Sequence, residues 1–277
     1  MPRLALAACL CAFLAIASAP SQPASGETIA QLVPLDDLNS HVEFNTDAGL
    51  TAWTVDGVSQ LKQQSFYYRL SDTTPELPLS ALGLYGQPKP SDANFNDGDD
   101  TLNVMYGQPT GFSITLTYVL NGGLDGSQKS DLQETISFNN RTGQAVRLQF
   151  FQYCDFDLNG TPGGDTVEIL YPNTVRQSDA HIMVAETVVT PTPTHTELGV
   201  YNSTLLKLND TSATTLNDTT GPVGPADVTW AFQWDVTVPA GGTVQISKDK
   251  NITPEPATLA LMAGGLVIAA TLRRRRG

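Results

Sequence analysis

The sequence predicts an all-β fold, an antiparallel β-sandwich with enough strands for a large two-sheet one. Three observations predict it. Apolar and polar residues alternate with period two from about His41 to Lys250, turn-forming residues separate several of the runs, and no segment there carries an apolar stripe at helical spacing. Phe112, Ile114, Leu116 and Tyr118 alternate with Ser113, Thr115 and Thr117. Trp230, Phe232, Trp234, Val236 and Val238 alternate with Ala231, Gln233, Asp235 and Thr237. Successive strand side chains point to opposite faces, so one row of each run faces a core and the other faces water. Further strands are predicted at 51–58, 63–70, 101–106, 132–138, 145–153, 166–171, 181–190 and 242–248. The turns fall at Asn121-Gly122-Gly123, Asn139-Asn140, Gly160 to Gly164 and Ala240-Gly241-Gly242. The stretch 190–225 differs: Pro191, Pro193, Pro222 and Pro225 sit among Thr, Ser and Asn, which predicts long surface loops and one short strand near Tyr201 to Leu208.

The two ends read as addresses. Met1-Pro2-Arg3 is a short basic lead, Leu4 to Ala17 is apolar, and Ala17-Ser18-Ala19 has the small-x-small form of a cleavage site. Pro20 fits that site poorly, which leaves cleavage near Gly26 as the alternative, so residues 1–26 are read as a signal peptide and the start of a polar linker. Cys9 and Cys11 leave with it. Cys154 alone remains, no disulfide can form within the mature chain, and the body of residues 27–252 must rely on its own core.

Formal net charge is −13. Without Arg3 and the four C-terminal arginines, ten basic residues face 28 acidic ones, about −18. That excludes nucleic acid, whose phosphates require Lys and Arg. It suits divalent cations or a hydrated polysaccharide matrix, and also plain solubility outside a cell.

At the other end, Thr253-Pro254-Glu255-Pro256 precedes an uncharged run from Ala257 to Leu272 and the cluster Arg273-Arg274-Arg275-Arg276. As a helix, 257–272 spans roughly 24 Å, just short of a bilayer's hydrocarbon core. Arginines do not cross cheaply, so they stay cytoplasmic and the body faces outward. The two prolines disfavour helix before them and leave an extended tripeptide. Pro254-Glu255-Pro256, the apolar segment and the arginine cluster together resemble the PEP-CTERM sorting signal of Gram-negative bacteria, a tail also called the ice-binding protein C-terminal domain, a name that implies no ice binding. The resemblance covers about residues 253–277. It implies a membrane-embedded exosortase as partner, anchoring at the inner membrane by the helix 257–272, and delivery to the cell surface or an exopolysaccharide and biofilm matrix after processing.

The body offers one local motif with chemistry. Asp155-Phe156-Asp157-Leu158-Asn159-Gly160 places carboxylates and an amide at alternate positions before a glycine, a pattern that can wrap oxygens around calcium. Thr166 stands where a helix-loop-helix calcium loop has its bidentate Glu, so Asp155, Asp157 and Asn159 are candidate ligands beside the reading of a solvated strand-end turn. Asn94 to Asp100 is a second acidic cluster, read as a hydrated loop. Asn202-Ser203-Thr204, Asn209-Asp210-Thr211 and Asn217-Asp218-Thr219 match the N-glycosylation pattern.

Enzyme signals are weak. His41, His181 and His195 are far apart, Cys154 ends an apolar strand without a neighbouring base, and no nucleophile elbow or phosphate loop is present. Trp230, Phe232 and Trp234 share a face with valines and read as core, while Phe66-Tyr67-Tyr68 should expose at least one ring by alternation. The expected function is therefore a non-catalytic exported surface or matrix protein. A carbohydrate-binding module and, further off, a secreted hydrolase are the alternatives.

Overall fold

Ile114, Leu116, Tyr118 and Leu120 on one strand, and Trp230, Phe232 and Trp234 on another, are all 1 % exposed or less. The two alternating rows predicted to face inward do meet, and everything else is arranged around them. The structure, a computed structural model, describes residues 30–95 and 98–255. The predicted signal peptide, the apolar segment 257–272, Pro256 and Arg273 to Arg276 lie outside the described residues, as do Asn96 and Asp97. Among the described residues no helix is long and apolar enough to cross a membrane.

The strands in chain order are β1 (Leu32–Asp37), β2 (Ser40–Asn45), β3 (Gly49–Val55), β4 (Val58–Arg69), β5 (Leu77–Pro78), β6 (Lys89–Ser91), β7 (Thr101–Gly107), β8 (Phe112–Gly122), β9 (Ser130–Asn140), β10 (Val146–Phe156), β11 (Asp165–Tyr171), β12 (Thr174–Ser178), β13 (Ile182–Thr190), β14 (His195–Val200), β15 (Val223–Ala226), β16 (Val228–Val238) and β17 (Thr243–Pro254). A six-residue helix, α1 (Ser203–Leu208), follows β14. An eight-stranded sheet runs β1-β2-β3-β4-β10-β16-β14, with β5 on β4, and a nine-stranded sheet runs β15-β11-β12-β13-β17-β9-β8-β7-β6. All the pairings are antiparallel, as alternation requires.

The core between the sheets is aromatic. Phe156 stacks on Trp230 with centroids 5.1 Å apart, Phe66 stacks on Phe150 at 5.3 Å, and Phe138 meets Phe150 edge-on at 5.0 Å. Such contacts add about 0.5–1.5 kcal/mol each beyond the area they bury.

Two expectations are corrected. The stretch 190–225 carries β14, α1 and β15, and the predicted strand near Tyr201 to Leu208 is the helix. Phe66, Tyr67 and Tyr68 are all buried, at 4, 5 and 5 % exposure. Both corrections have one cause. The chain after β14 lies across the outer face of the eight-stranded sheet, where Leu208 and Leu216 pack on Tyr67, Phe151, Tyr153 and Ala231. Asn209 Nδ2 donates to the Tyr67 hydroxyl at 3.1 Å, and the Leu216 N–H donates to Gln233 Oε1 at 3.0 Å. Alternation predicts which face a ring points to; it does not predict that the far face is covered too.

Inside the sandwich one group of four charges is fully buried. Lys248 and Lys250, on the inward row of β17, both donate to Glu134 of β9, and their Nζ atoms lie 3.4 and 3.6 Å from the Glu186 carboxylate of β13. From the opposite sheet, Gln64 Nε2 donates to Glu134 at 2.8 Å and Gln152 Nε2 to Glu186 at 2.7 Å. Burial alone would raise the Glu134 pKa; the two ammonium groups overcome this and hold it at about 2. The Cys154 thiol sits within this group, and burial pushes its pKa well up, so it is an inert part of the core.

Candidate functional site

The strand that closes the nine-stranded sheet runs directly into the tail. Thr253 and Pro254 are the last residues of β17 and stand opposite Met183 and Ile182 of β13. The Glu255 N–H then donates to the His181 carbonyl at 2.8 Å. That bond makes Pro254 and Ile182 a non-hydrogen-bonded pair, so the ring nitrogen of Pro254 faces the other side. On that side β9 has already ended, with Ser130 opposite Ile252. A proline therefore fits here without breaking a ladder bond. Of the tripeptide, Pro254 is extended as the last residue of β17, and Glu255 follows the strand.

One row across the same sheet joins this exit to an acidic cluster. Thr253 pairs with Met183, Met183 with Ser178, Ser178 with Thr166, and the neighbouring Asp165 with Ala226. Asp227 follows Ala226. Gly224 makes the β11–β15 approach possible: at φ 121° a Cβ there would lie 2.2 Å from the Asp165 carbonyl oxygen. From the other sheet β10 ends at the same place, with Asp155 opposite Thr229 of β16 and Gln63 of β4.

Asp155, Asp157 and Asp227 each place one carboxylate oxygen so that the three lie within 4.8 Å of one another. Asp155 is 1 % exposed, and its Oδ1, like that of Asp227, is buried without a hydrogen-bond partner. Burial raises the Asp155 pKa first, the charges of Asp157 and Asp227 raise it further, Lys62 opposes them, and it reaches about 7. Asp157 and Asp227 are also raised, burial being the larger cause. The hydroxyls of Tyr153 and Thr229 are buried without partners as well.

Two of the three residues proposed from sequence are thus brought together. Asn159 is exposed in a left-handed turn at φ 57°, and its N–H donates to Gln60 Oε1 at 2.9 Å. Asp227 was not singled out by sequence, because it is far along the chain and reaches the cluster only through the β11–β15 pairing. In the second acidic stretch, the Asp99 carbonyl accepts the Asp36 N–H at 2.8 Å and Asp100 Oδ1 accepts the Ala93 N–H at 2.9 Å, so it is tied to β1 and to its own loop.

A separate open cleft of about 400 Å³ lies between β11 and the start of β14. Tyr171, 68 % exposed, forms one wall with Pro172; Pro193, Thr220 and the pair His195–Asp218 are among the residues that line it elsewhere. His195 Nδ1 lies 3.0 Å from Asp218 Oδ2, and the Thr196 N–H donates to Asp218 Oδ1 at 3.2 Å. His195, first of its causes, lowers the Asp218 pKa. The sequence carried no signal for this pairing.

Residues 253–276 match the family described as PEP-CTERM protein-sorting motif. No curated protein matches the chain. Among solved structures, the chain is similar to a bacterial glucoamylase complexed with acarbose, with TM-score 0.54 and 7 % identity over 79 % of this chain and 31 % of that one. It is also similar to a putative aldose 1-epimerase from Escherichia coli K12 (TM-score 0.48, 8 % identity, 82 % of this chain and 99 % of that one) and to a galactose mutarotase related enzyme from Lactobacillus acidophilus (TM-score 0.49, 8 % identity, 81 % and 97 %). The chain spans about a third of the glucoamylase structure, and at 7 % identity that likeness shows the fold alone.

Proposed function

We propose, from the PEP-CTERM protein-sorting motif at residues 253–276, that this is an exported surface protein sorted by an exosortase, and that its β-sandwich serves as a non-catalytic body in the extracellular polysaccharide matrix. The tail first holds it in the inner membrane with the body outside, and processing then releases or transfers the body. The carrying observation is that the motif begins inside β17: no linker intervenes, so the folded body is held against the membrane end of the chain. The acidic composition suits a hydrated matrix. The test is fractionation of cells expressing the full chain, the Pro254→Ala/Glu255→Ala variant, or a chain ending at Glu255. Wild type should reach the surface fraction, the double variant should stay in the inner membrane, and the truncated chain should appear in the soluble export fraction. Unchanged distribution of all three would refute the proposal.

The cleft at Tyr171 favours a second reading, carbohydrate binding by the body. An exposed aromatic ring beside an oriented His–Asp pair and threonine hydroxyls offers a stacking face together with donors and acceptors for a sugar. The glucoamylase of similar fold is complexed with acarbose, which agrees with this reading without assigning a ligand here. Glycan-array binding that disappears in Tyr171→Ala would support it; binding unaffected by that change would place the sugar elsewhere.

A further inference from the structure

We propose that Asp155, Asp157 and Asp227 form a binding site for one calcium ion that joins the two sheets at the end from which the tail leaves. The three carboxylates come from three chain segments: the end of β10, the β10–β11 connection and the residue between β15 and β16. β10 and β16 belong to the eight-stranded sheet, and β11 and β15 to the nine-stranded one. An ion held by all three would therefore fasten the sheets to each other.

The observation beyond simple acidity is the burial of Asp155. A carboxylate 1 % exposed with an unpartnered Oδ1 has lost its water and gained no donor. Leaving such a group unpaired is costly, and buried charges are ordinarily paired or bound to metal. Two further negative groups within 4.8 Å aggravate the cost, and among the described residues Lys62 is the cation that opposes them. The other buried carboxylates of the described residues each accept from at least one donor, although Asp165 Oδ1 and Glu76 Oε2 are also without a partner. Glu134 and Glu186 have lysines and glutamines, and Asp165 Oδ2 accepts from Gln177 Nε2 at 2.6 Å.

The donor set selects the ion. It is all oxygen, so it favours a hard cation over zinc or copper. Three separate carboxylates can close on a large flexible coordination shell, whose remaining positions water or the Thr229 hydroxyl can fill; magnesium demands a tighter octahedron. Nothing in this inference depends on the tail, so it survives or fails independently of the sorting proposal.

The test is calorimetry and thermal melting of the full chain, purified in mild detergent and stripped with chelator. Calcium at millimolar concentration should bind with one-to-one stoichiometry and raise the melting temperature by several degrees, and magnesium should give a clearly smaller shift. Asp155→Asn and Asp227→Asn, which keep shape and remove charge, should fold and lose the calcium response. The proposal fails if calcium gives neither heat nor shift with folded wild type, if the shift survives in both variants, or if magnesium acts equally.

Discussion

Pro254 stands opposite Ile182 at the end of the β13–β17 pair, so the sorting motif starts while the chain is still part of the nine-stranded sheet. Two positions earlier, Ile252 is fully buried in the core, and Lys250 is buried in the charge group. The last strand is therefore part of the fold's interior up to the residue before Thr253.

This has a consequence for truncation. A chain ending at Glu255 should melt within about 2 °C of the full chain. One ending at Asp249 loses Lys250 and Ile252 and strands Glu134 and Glu186 with one lysine, at a cost of roughly 4 kcal/mol or more. Equal melting temperatures for the two would contradict the role given to the end of β17.

The buried charges make a second prediction. Lys250→Met leaves two interior carboxylates facing one ammonium group and should cost about 3–5 kcal/mol by urea denaturation. Adding Glu186→Gln should recover part of that loss, because net charge inside is again balanced. A milder single variant, under about 1 kcal/mol, would show that water reaches the group.

Stability should also fall as pH rises from about 4 to 7 in chelator. Asp131 is raised to about 6, by burial first and then by Asp249, and Asp165 to about 6, by burial above all. A carboxyl whose folded pKa lies above its unfolded value binds its proton more tightly when folded, so the folded state loses ground as pH climbs from the unfolded pKa through the folded one. Glu134 works oppositely: its contribution is complete above the unfolded carboxylate pKa and is lost as pH falls towards 2. The optimum set by these groups should lie near pH 4, and Asp131→Asn should flatten the decline above it. Melting curves across that range decide, and a rise in stability from pH 4 to 7 would be the wrong sign.

The covering segment gives a fourth prediction. Leu208 and Leu216 are the apolar anchors by which it holds the outer face of the eight-stranded sheet. Leu216→Ala should cost about 2–4 kcal/mol and make the chain between α1 and β15 the first site of protease cleavage. Cleavage elsewhere first would show that this segment is not the weak cover.

Much of this was legible in sequence. The inward rows of β8 and β16 followed from alternation, because period two is a local property of each strand. Burial of Tyr67 did not, because its cover comes from Leu208 and Leu216, far along the chain. Lys248 and Lys250 fall on the inward row of β17, where a charge contradicts the pattern; their partners on β9 and β13 are visible only once the register is known. At the acidic cluster, Asp155 and Asp157 were readable as alternate carboxylates at a strand end, whereas Asp227 and the His195–Asp218 pair depend on strand pairing and loop path.

The export reading is tested most directly by the mass of the C-terminal peptide of the surface form. The expected peptide lacks Arg273 to Arg276 and keeps β17 at least through Pro254. A surface form that still carries the four arginines would contradict it.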